Sequence, residues 1–435
     1  MKKVEPKTLS GFMELSPTDQ ILFNSMLDVI KTTYEQYGFL PLDTPIIESS
    51  EVLLAKAGGE TEKQIYRFTK GDNDLSLRFD LTVPLAKYVA SRYNDLILPF
   101  KRYQIGKVYR GERPQRGRFR EFYQCDIDVI GDEVLPLMYD AEIPAIIYDI
   151  FRKMNIGDFV IRINNRKTLT GYLAILNVTN PVLVLRIIDK MDKIGDESTI
   201  EELIKLGLSN TTIKLLLTFI KTSGSNEEKL AFAKSLNINN SEFDLGISEL
   251  ETVINSLKTM GIPEDNYVVD FKLTRGLDYY TGTVYETYLK DYRELGSICG
   301  GGRYDNLADY YTDKKLPGVG IAIGLTRLFF QLKEAGLINA LKGTTAEVFI
   351  LPIEPNYEFA LKVSKTLRDN NIPVSVIYLD KGLKQMMKYA NRSNVPFVII
   401  IGEDEIKTQK VTLRNMLTGE QLSLDIDQLL EYMSK

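Results

Sequence analysis

Residues 105–131 read IGKVYRGERPQRGRFREFYQCDIDVIG. Two β-type runs flank a loop, Arg113 to Arg118, which holds Gly117 and three arginines. Side chains of a strand alternate between its faces. Phe122, Gln124, Asp126 and Asp128 therefore share one face of the second run, and Tyr123, Cys125, Ile127 and Val129 the other, more apolar one. On the first run, Arg110 and Glu112 share a face. One surface thus carries two carboxylates, an amide, an aromatic ring and an arginine. A water-facing sheet has a similar composition. The arginine-rich loop is what argues for a phosphate or RNA ligand above it.

Working outward, strand signals recur at 75–80, 101–112, 119–130, 158–164, 266–273, 282–290 and 296–299, with helices between them. This is the order of an α+β fold, an antiparallel sheet with flanking helices. Ahead of it, residues 17–37 predict an amphipathic helix on Ile21, Leu22, Met26, Leu27 and Ile30, capped by Ser16 or Thr18 and stopped at Gly38. Residues 168–260 are almost wholly helical in periodicity and read as an insertion within the larger domain, 1–335. After a linker-like stretch at 336–345, residues 346–435 read as a βαβαβ unit, a small and mostly parallel α/β domain.

A chain of 435 residues exceeds one compact core, so two or three domains are expected. No apolar run approaches the roughly 20 residues that cross a bilayer. The start, MKKVEPKTLSGFMELSP, is charged with no apolar segment behind it, which argues against a secretory signal. Cys125 and Cys299 are the only cysteines, so no disulfide framework is expected and a reducing cytoplasm fits. The net charge of −5 means that any polyanion must be held by local basic clusters. Histidine is absent. That excludes Ser–His–Asp and Cys–His catalysis and every histidine-ligated metal, and no protein-bound metal is expected.

Three further regions carry chemistry, the second of them made of two successive segments. LTRGLDYYTGTVYE (273–286) places Arg275 before a Tyr279–Tyr280 pair, although such pairs are common as half-buried strand residues. SICGGGRYDNLADYY (297–311) and LPGVGIAIGLTRL (316–328) hold glycines that permit close backbone approach to a ligand, or merely tight packing. Neither a phosphate-binding loop with its lysine nor a dinucleotide-binding βαβ unit surrounds them. The third region is LRFDLTVPLAKYVA (77–90).

Together these segments resemble the signatures of class II aminoacyl-tRNA synthetases. PLDTPIIE (41–48) is similar to motif 1, YRGERP and RFREFYQ to motif 2, and GVGIAIGLTRL to motif 3. LRFDLTVPLAKYVA and LTRGLDYYTGTVYE resemble the two signatures of the histidyl-tRNA synthetase family, in the form usual for eukaryotic and archaeal-type members. The order matches along nearly the whole chain, including the helical insertion and a C-terminal anticodon-binding domain.

The resemblance implies formation of histidyl-adenylate from L-histidine and ATP with Mg2+, and transfer of histidine to the 3′ end of tRNA(His) by a cytoplasmic homodimer. It implies that Arg110 and Arg275 flank the α-phosphate, Arg275 standing where other class II enzymes place a metal ion. Phe122 is expected to stack on adenine, Arg327 to lie on its opposite face or near the γ-phosphate, and Glu112 to lie near the nucleotide. Asp80, Thr82 and Gln124 are expected on the α-amino group, with Leu81 in the same turn. Asp128 and Tyr280, with Tyr279 beside them, are expected around the imidazole. Gln115, Arg116 and Arg120 are expected to meet the acceptor end of the tRNA. One position departs from the family pattern: Thr326 stands where an acidic residue usually precedes the motif 3 arginine. A regulatory subunit of histidine biosynthesis shares this catalytic fold but typically loses the C-terminal domain and the motif arginines, and this chain keeps both.

Overall fold

The structure, a computed structural model, describes residues 3–55, 60–113, 117–274, 280–353, 357–378 and 382–434. By its internal contacts the chain divides into two compact units, residues 1–13 with 27–337, and residues 14–26 with 338–435. The helix Pro17–Gln36 starts where Ser16 Oγ accepts from the Asp19 amide at 3.2 Å, and ends at Gly38, whose φ of +77° suits glycine. Its buried line is Phe23, Met26, Ile30 and Tyr34. Ile21, Leu22 and Leu27, read as part of the apolar stripe, are only partly covered. The large aromatic rings, one turn apart from Met26 and Ile30, decide which face turns inward.

The first unit is built on eight strands. They are β1 (Leu40–Pro41), β5 (Phe100–Tyr109), β6 (Glu121–Ile130), β7 (Phe159–Asn165), β8 (Tyr267–Val269), β9 (Thr283–Leu289), β10 (Cys299–Tyr304) and β11 (Gly318–Gly324), with β2 (Ile47–Ser49), β3 (Arg67–Lys70) and β4 (Asn73–Leu77) forming a separate small sheet. The main sheet runs β1-β5-β6-β11-β10-β9-β7-β8. Its six inner strands are antiparallel, and one parallel strand closes each edge. The strand read at 75–80 therefore belongs to the small antiparallel sheet and stops at Leu77, so Phe79 and Asp80 are free to face the site. Likewise β5 ends at Tyr109, which puts Arg110 and Glu112 beyond the ladder, although the Arg110 amide still donates to Arg120 O at 2.9 Å.

One sheet face is apolar, with Cys125, Ile127, Val129, Ile321 and Ile323 all buried. Against it lies the helix Met138–Met154, fixed by Tyr285 Oη donating to Asp140 O at 2.6 Å and by a buried Arg303–Asp140 ion pair. Five helices, from Arg166–Ile175 to Ser241–Thr259, fill the segment between β7 and β8. They pack around Tyr172, Phe219, Phe243 and Phe271, with ring centroids of Phe219 and Phe271 4.6 Å apart.

The second unit carries β12 (Val348–Pro352), β13 (Val374–Val376), β14 (Phe397–Ile401), β15 (Val411–Asn415) and β16 (Gln421–Leu424), in the order β13-β12-β14-β15-β16. The expected βαβαβ unit is present as the parallel trio β13-β12-β14. The strands that follow join as an antiparallel ribbon, so the sheet is mixed rather than mostly parallel. Among the described residues no helix is long and apolar enough to cross a membrane.

Arg78 ties motif 1 to the main sheet. It is 2% exposed and donates to Lys107 O at 2.8 Å and Thr44 O at 2.5 Å, while a Cβ on Gly106 would overlap its guanidinium. Charged donors of this kind contribute about 1.5–3 kcal/mol each. Arg78→Met is expected to lower the thermal midpoint by several degrees, and Arg78→Lys to rescue little of it, because one ammonium cannot span both carbonyls. A midpoint within a degree of the native value in Arg78→Met would contradict this role.

Candidate active site

The polar face of the main sheet is the floor of a cavity of about 620 Å³. Its lining comes from separate segments of chain: Phe79, Asp80 and Thr82; Arg110, Glu112, Arg118, Phe119, Phe122 and Gln124; Tyr280; Ser297 to Gly300; and Ala322, Gly324, Arg327 and Leu328. The Arg110 guanidinium lies over the Phe79 ring, 4.3 Å from its centroid, and 5.1 Å from that of Phe122, while its Nε donates to Phe79 O. Two rings and a carbonyl thus hold this cation at the cavity wall. Glu112 pairs with Arg118 at 3.5 Å. Asp80 Oδ1 accepts from the Val83 amide at 3.0 Å, which anchors it at the start of the helix Thr82–Arg92. Gln124 is 7% exposed, and its Oε1 meets no donor among the described residues.

Further along the same face lies a row set by strand register. Arg102 on β5 is opposite Asp128 on β6, Asp128 is opposite Gly320 on β11, and Gly320 is opposite Gly302 on β10. Arg102 Nη2 is 2.6 Å from Asp128 Oδ2, and Tyr304 Oη donates to Asp128 Oδ1 at 2.6 Å. A Cβ on Gly320 would overlap Asp128 Oδ1, and one on Gly302 would come 2.9 Å from Tyr280 Cδ1. Two adjacent glycines therefore leave bare backbone on which the Asp128 carboxylate and the Tyr280 ring rest. Burial pushes the Asp128 carboxyl up to about 6, against the opposing pull of Arg102 and the Tyr304 hydroxyl. Burial also raises Asp126 well above the carboxylate range.

Of the residues singled out in the sequence, Asp80, Thr82, Arg110, Glu112, Phe122, Gln124, Tyr280 and Arg327 line this one cavity. Arg275, Tyr279, Gln115 and Arg116 lie outside the described residues. Three others stand outside the cavity lining. Leu81 does not face the cavity: it is fully buried, and its carbonyl accepts from Arg102 at 3.3 Å. Arg120 is not held out toward the loop, since its guanidinium donates to Glu112 O and Ser10 O. Asp128 is not among the lining residues and sits further along the same face of its strand, paired with Arg102.

Phe79, Phe119, Arg102 and Tyr304 were missed. Counting back through the hairpin from its loop would have found Arg102, the lone arginine opposite Asp128. Thr326, the departure in motif 3, also acquires a role. It is buried, and its hydroxyl accepts from the Tyr123 amide at 2.8 Å, pinning the motif 3 helix to the motif 2 strand. An acidic side chain offers the same acceptor, so the substitution retains the link. Thr326→Val strands that amide and is expected to cost about 1–3 kcal/mol. It should also raise the KM for ATP by shifting Arg327, while Thr326→Ser preserves both; equal ATP KM values in a folded Thr326→Val protein would count against the link.

The sequence profile of the histidyl-tRNA synthetase family matches residues 11–328, and that of the anticodon binding domain matches residues 347–435. A histidine-tRNA ligase of Clostridium tetani is 53% identical over 99% of this chain and 99% of its own. A crystal structure of histidyl-tRNA synthetase from Nostoc sp. PCC 7120 superposes with a TM-score of 0.93 at 43% identity, covering 99% of both chains. A Bacillus halodurans ATP phosphoribosyltransferase regulatory subunit/histidyl-tRNA synthetase shares only the fold, at 20% identity and a TM-score of 0.74 over 89% of this chain and 97% of its own. Matched along its whole length by enzymes of one kind, the chain belongs to the histidyl-tRNA synthetase family.

Proposed function

We propose that this chain activates L-histidine with ATP and transfers the histidyl group to the 3′ end of tRNA(His). In the first step a histidine carboxylate oxygen attacks the α-phosphorus in line. A P–O bond forms, the bridging bond to the β-phosphate breaks, and pyrophosphate leaves. In the second step a ribose hydroxyl of the terminal adenosine attacks the carbonyl carbon, and AMP leaves. The observation that carries this reading is the convergence of Asp80, Arg110, Phe122, Gln124, Tyr280 and Arg327 on one cavity, from four separate stretches of chain.

The protein's contribution is positioning and charge stabilisation. Arg110, kept cationic between two rings, is assigned to the α-phosphate, and Arg275 to its other side. Phe122 supplies a stacking face for adenine, with Arg327 and Glu112 around the nucleotide. ATP arrives as its magnesium complex, so the metal comes with the substrate. Asp80, Thr82 and Gln124 are assigned to the α-ammonium; the free Oε1 of Gln124 and the carboxylate of Asp80 offer it acceptors. Asp128 and Tyr280, each against one of two paired glycines, are assigned to the imidazole, with Tyr279 beside them.

Gln115 and Arg116 are assigned to the acceptor end of the tRNA, and residues 346–435 to its anticodon region. Lys384, Lys388 and Arg392 on the helix Leu383–Arg392 offer phosphate contacts there. A homodimer formed through motif 1 accounts for the exposure of Leu40, Ile46 and Ile47, apolar side chains clustered in one short segment.

The test is histidine-dependent exchange of pyrophosphate into ATP by the purified protein, followed by charging of tRNA(His). Arg275→Ala should lower exchange by about two to four powers of ten, chiefly in kcat. Absence of exchange with histidine, or Arg275→Ala acting only on histidine KM, would overturn the assignment.

A further inference from the structure

Arg102 is fully buried, and the mechanism above gives it no task. Its charge cannot be relieved by losing a proton. One nitrogen, Nη2, serves both Asp128 Oδ2 at 2.6 Å and Leu81 O at 3.3 Å. The cross-strand register leaves Arg102 no other position than opposite Asp128. Tyr304 Oη holds the other carboxylate oxygen at 2.6 Å. Asp128 is thus fixed at both oxygens, and each oxygen keeps lone-pair capacity.

The sum of charges in this buried place has a chemical consequence. A lone buried carboxylate demands a cation, because an uncompensated charge inside a protein is strongly disfavoured. Asp128 already has its cation. A protonated imidazole entering here would add a positive charge with nothing to cancel it, whereas a neutral ring brings an N–H donor to an available acceptor. The other ionisable groups around the pair do not alter this. Asp126, beside Asp128 on the same face of β6, is driven toward its neutral form by burial. Asp80 is assigned to the substrate's α-ammonium. Arg110 adds positive charge, and burial keeps the Tyr34 phenol protonated.

We propose that Arg102 is a positioning residue for side-chain selection: by pairing with Asp128 it makes that carboxylate a charge-compensated acceptor, so the site takes histidine with a neutral imidazole and refuses the protonated form. This rests on the assignment of Asp128 to the imidazole. Free histidine's ring titrates near pH ~6.5, so the selection falls within an accessible range.

The experiment measures kcat/KM in pyrophosphate exchange from about pH 5.5 to 8 for histidine and for 1,2,4-triazole-3-alanine, whose ring stays neutral where imidazole protonates. Titration of the protein affects both substrates alike, so their ratio isolates the ring. With the native protein the histidine-to-analogue ratio should fall about tenfold per pH unit below roughly pH 6.5. With Arg102→Gln the ratio should flatten, since an uncompensated Asp128 accepts the ring's extra proton; Arg102→Lys should restore the fall. A native ratio independent of pH overturns the proposal and needs no variant to fold. So does a folded Arg102→Gln protein whose ratio tracks the native one. Asp128→Asn separates the two layers of the argument. An unchanged histidine KM there overturns the imidazole assignment itself. A KM raised about tenfold, alongside an unaltered Arg102→Gln ratio, overturns only the role of Arg102.

Discussion

The ten-pair register between β5 and β6 is the constraint on which the site depends. A shift of one residue would turn Gln124, Asp126 and Asp128 into the apolar layer and bring Cys125, Ile127 and Val129 to the cavity. Arg102 opposite Asp128, Gln104 opposite Asp126 and Gly106 opposite Gln124 make the polar face self-consistent in only one alignment. The same hairpin delivers Arg110 and Phe122 to the cavity rim at its open end. Positions that act on substrate and positions that fix the fold are therefore consecutive along the same two strands.

Glycine carries a second part of the design. Gly301 and Gly320 leave the neighbouring strands so close that a Cβ on Gly301 would overlap Gly320 O. Gly302 and Gly320 give the Asp128 carboxylate and the Tyr280 ring bare backbone to rest on. Close packing of strands and close packing of side chains on strands thus fall on opposite faces of one strand pair. Thr326 shows a similar economy, since a hydroxyl does the fastening for which a charged group is not required.

Much of this was legible in the sequence. The hairpin, the helical insertion and the C-terminal domain follow from hydrophobic period and turn chemistry, and the family signatures follow from local spelling. What escaped depends on pairing between distant segments. Arg78 and Arg102 look like ordinary charged strand residues until register buries them, and nothing local distinguishes them from Lys101. Arg120 and Leu81 sit inside the right motifs yet face the wrong way, because backbone carbonyls and core packing claim their side chains. The C-terminal sheet was read as parallel from its first three strands; only the ladder shows the chain reversing afterwards. Ile21, Leu22 and Leu27 mark a stripe that larger neighbours displaced.

The helical insertion leaves the sheet after Asn165 and returns at Tyr267, and the two strands it joins, β7 and β8, are parallel neighbours with Ile161 beside Tyr267. Parallel neighbours cannot be linked by a tight turn, because the chain must travel back the full length of a strand before pairing again. That geometry sets a lower limit of about a dozen residues on whatever connects them. Above that limit the sheet is indifferent to content, since the two strands are neighbours at its edge whatever joins them. This edge is therefore a socket: a lineage can enlarge, trim or exchange the cassette it carries without disturbing the strands that hold the chemistry.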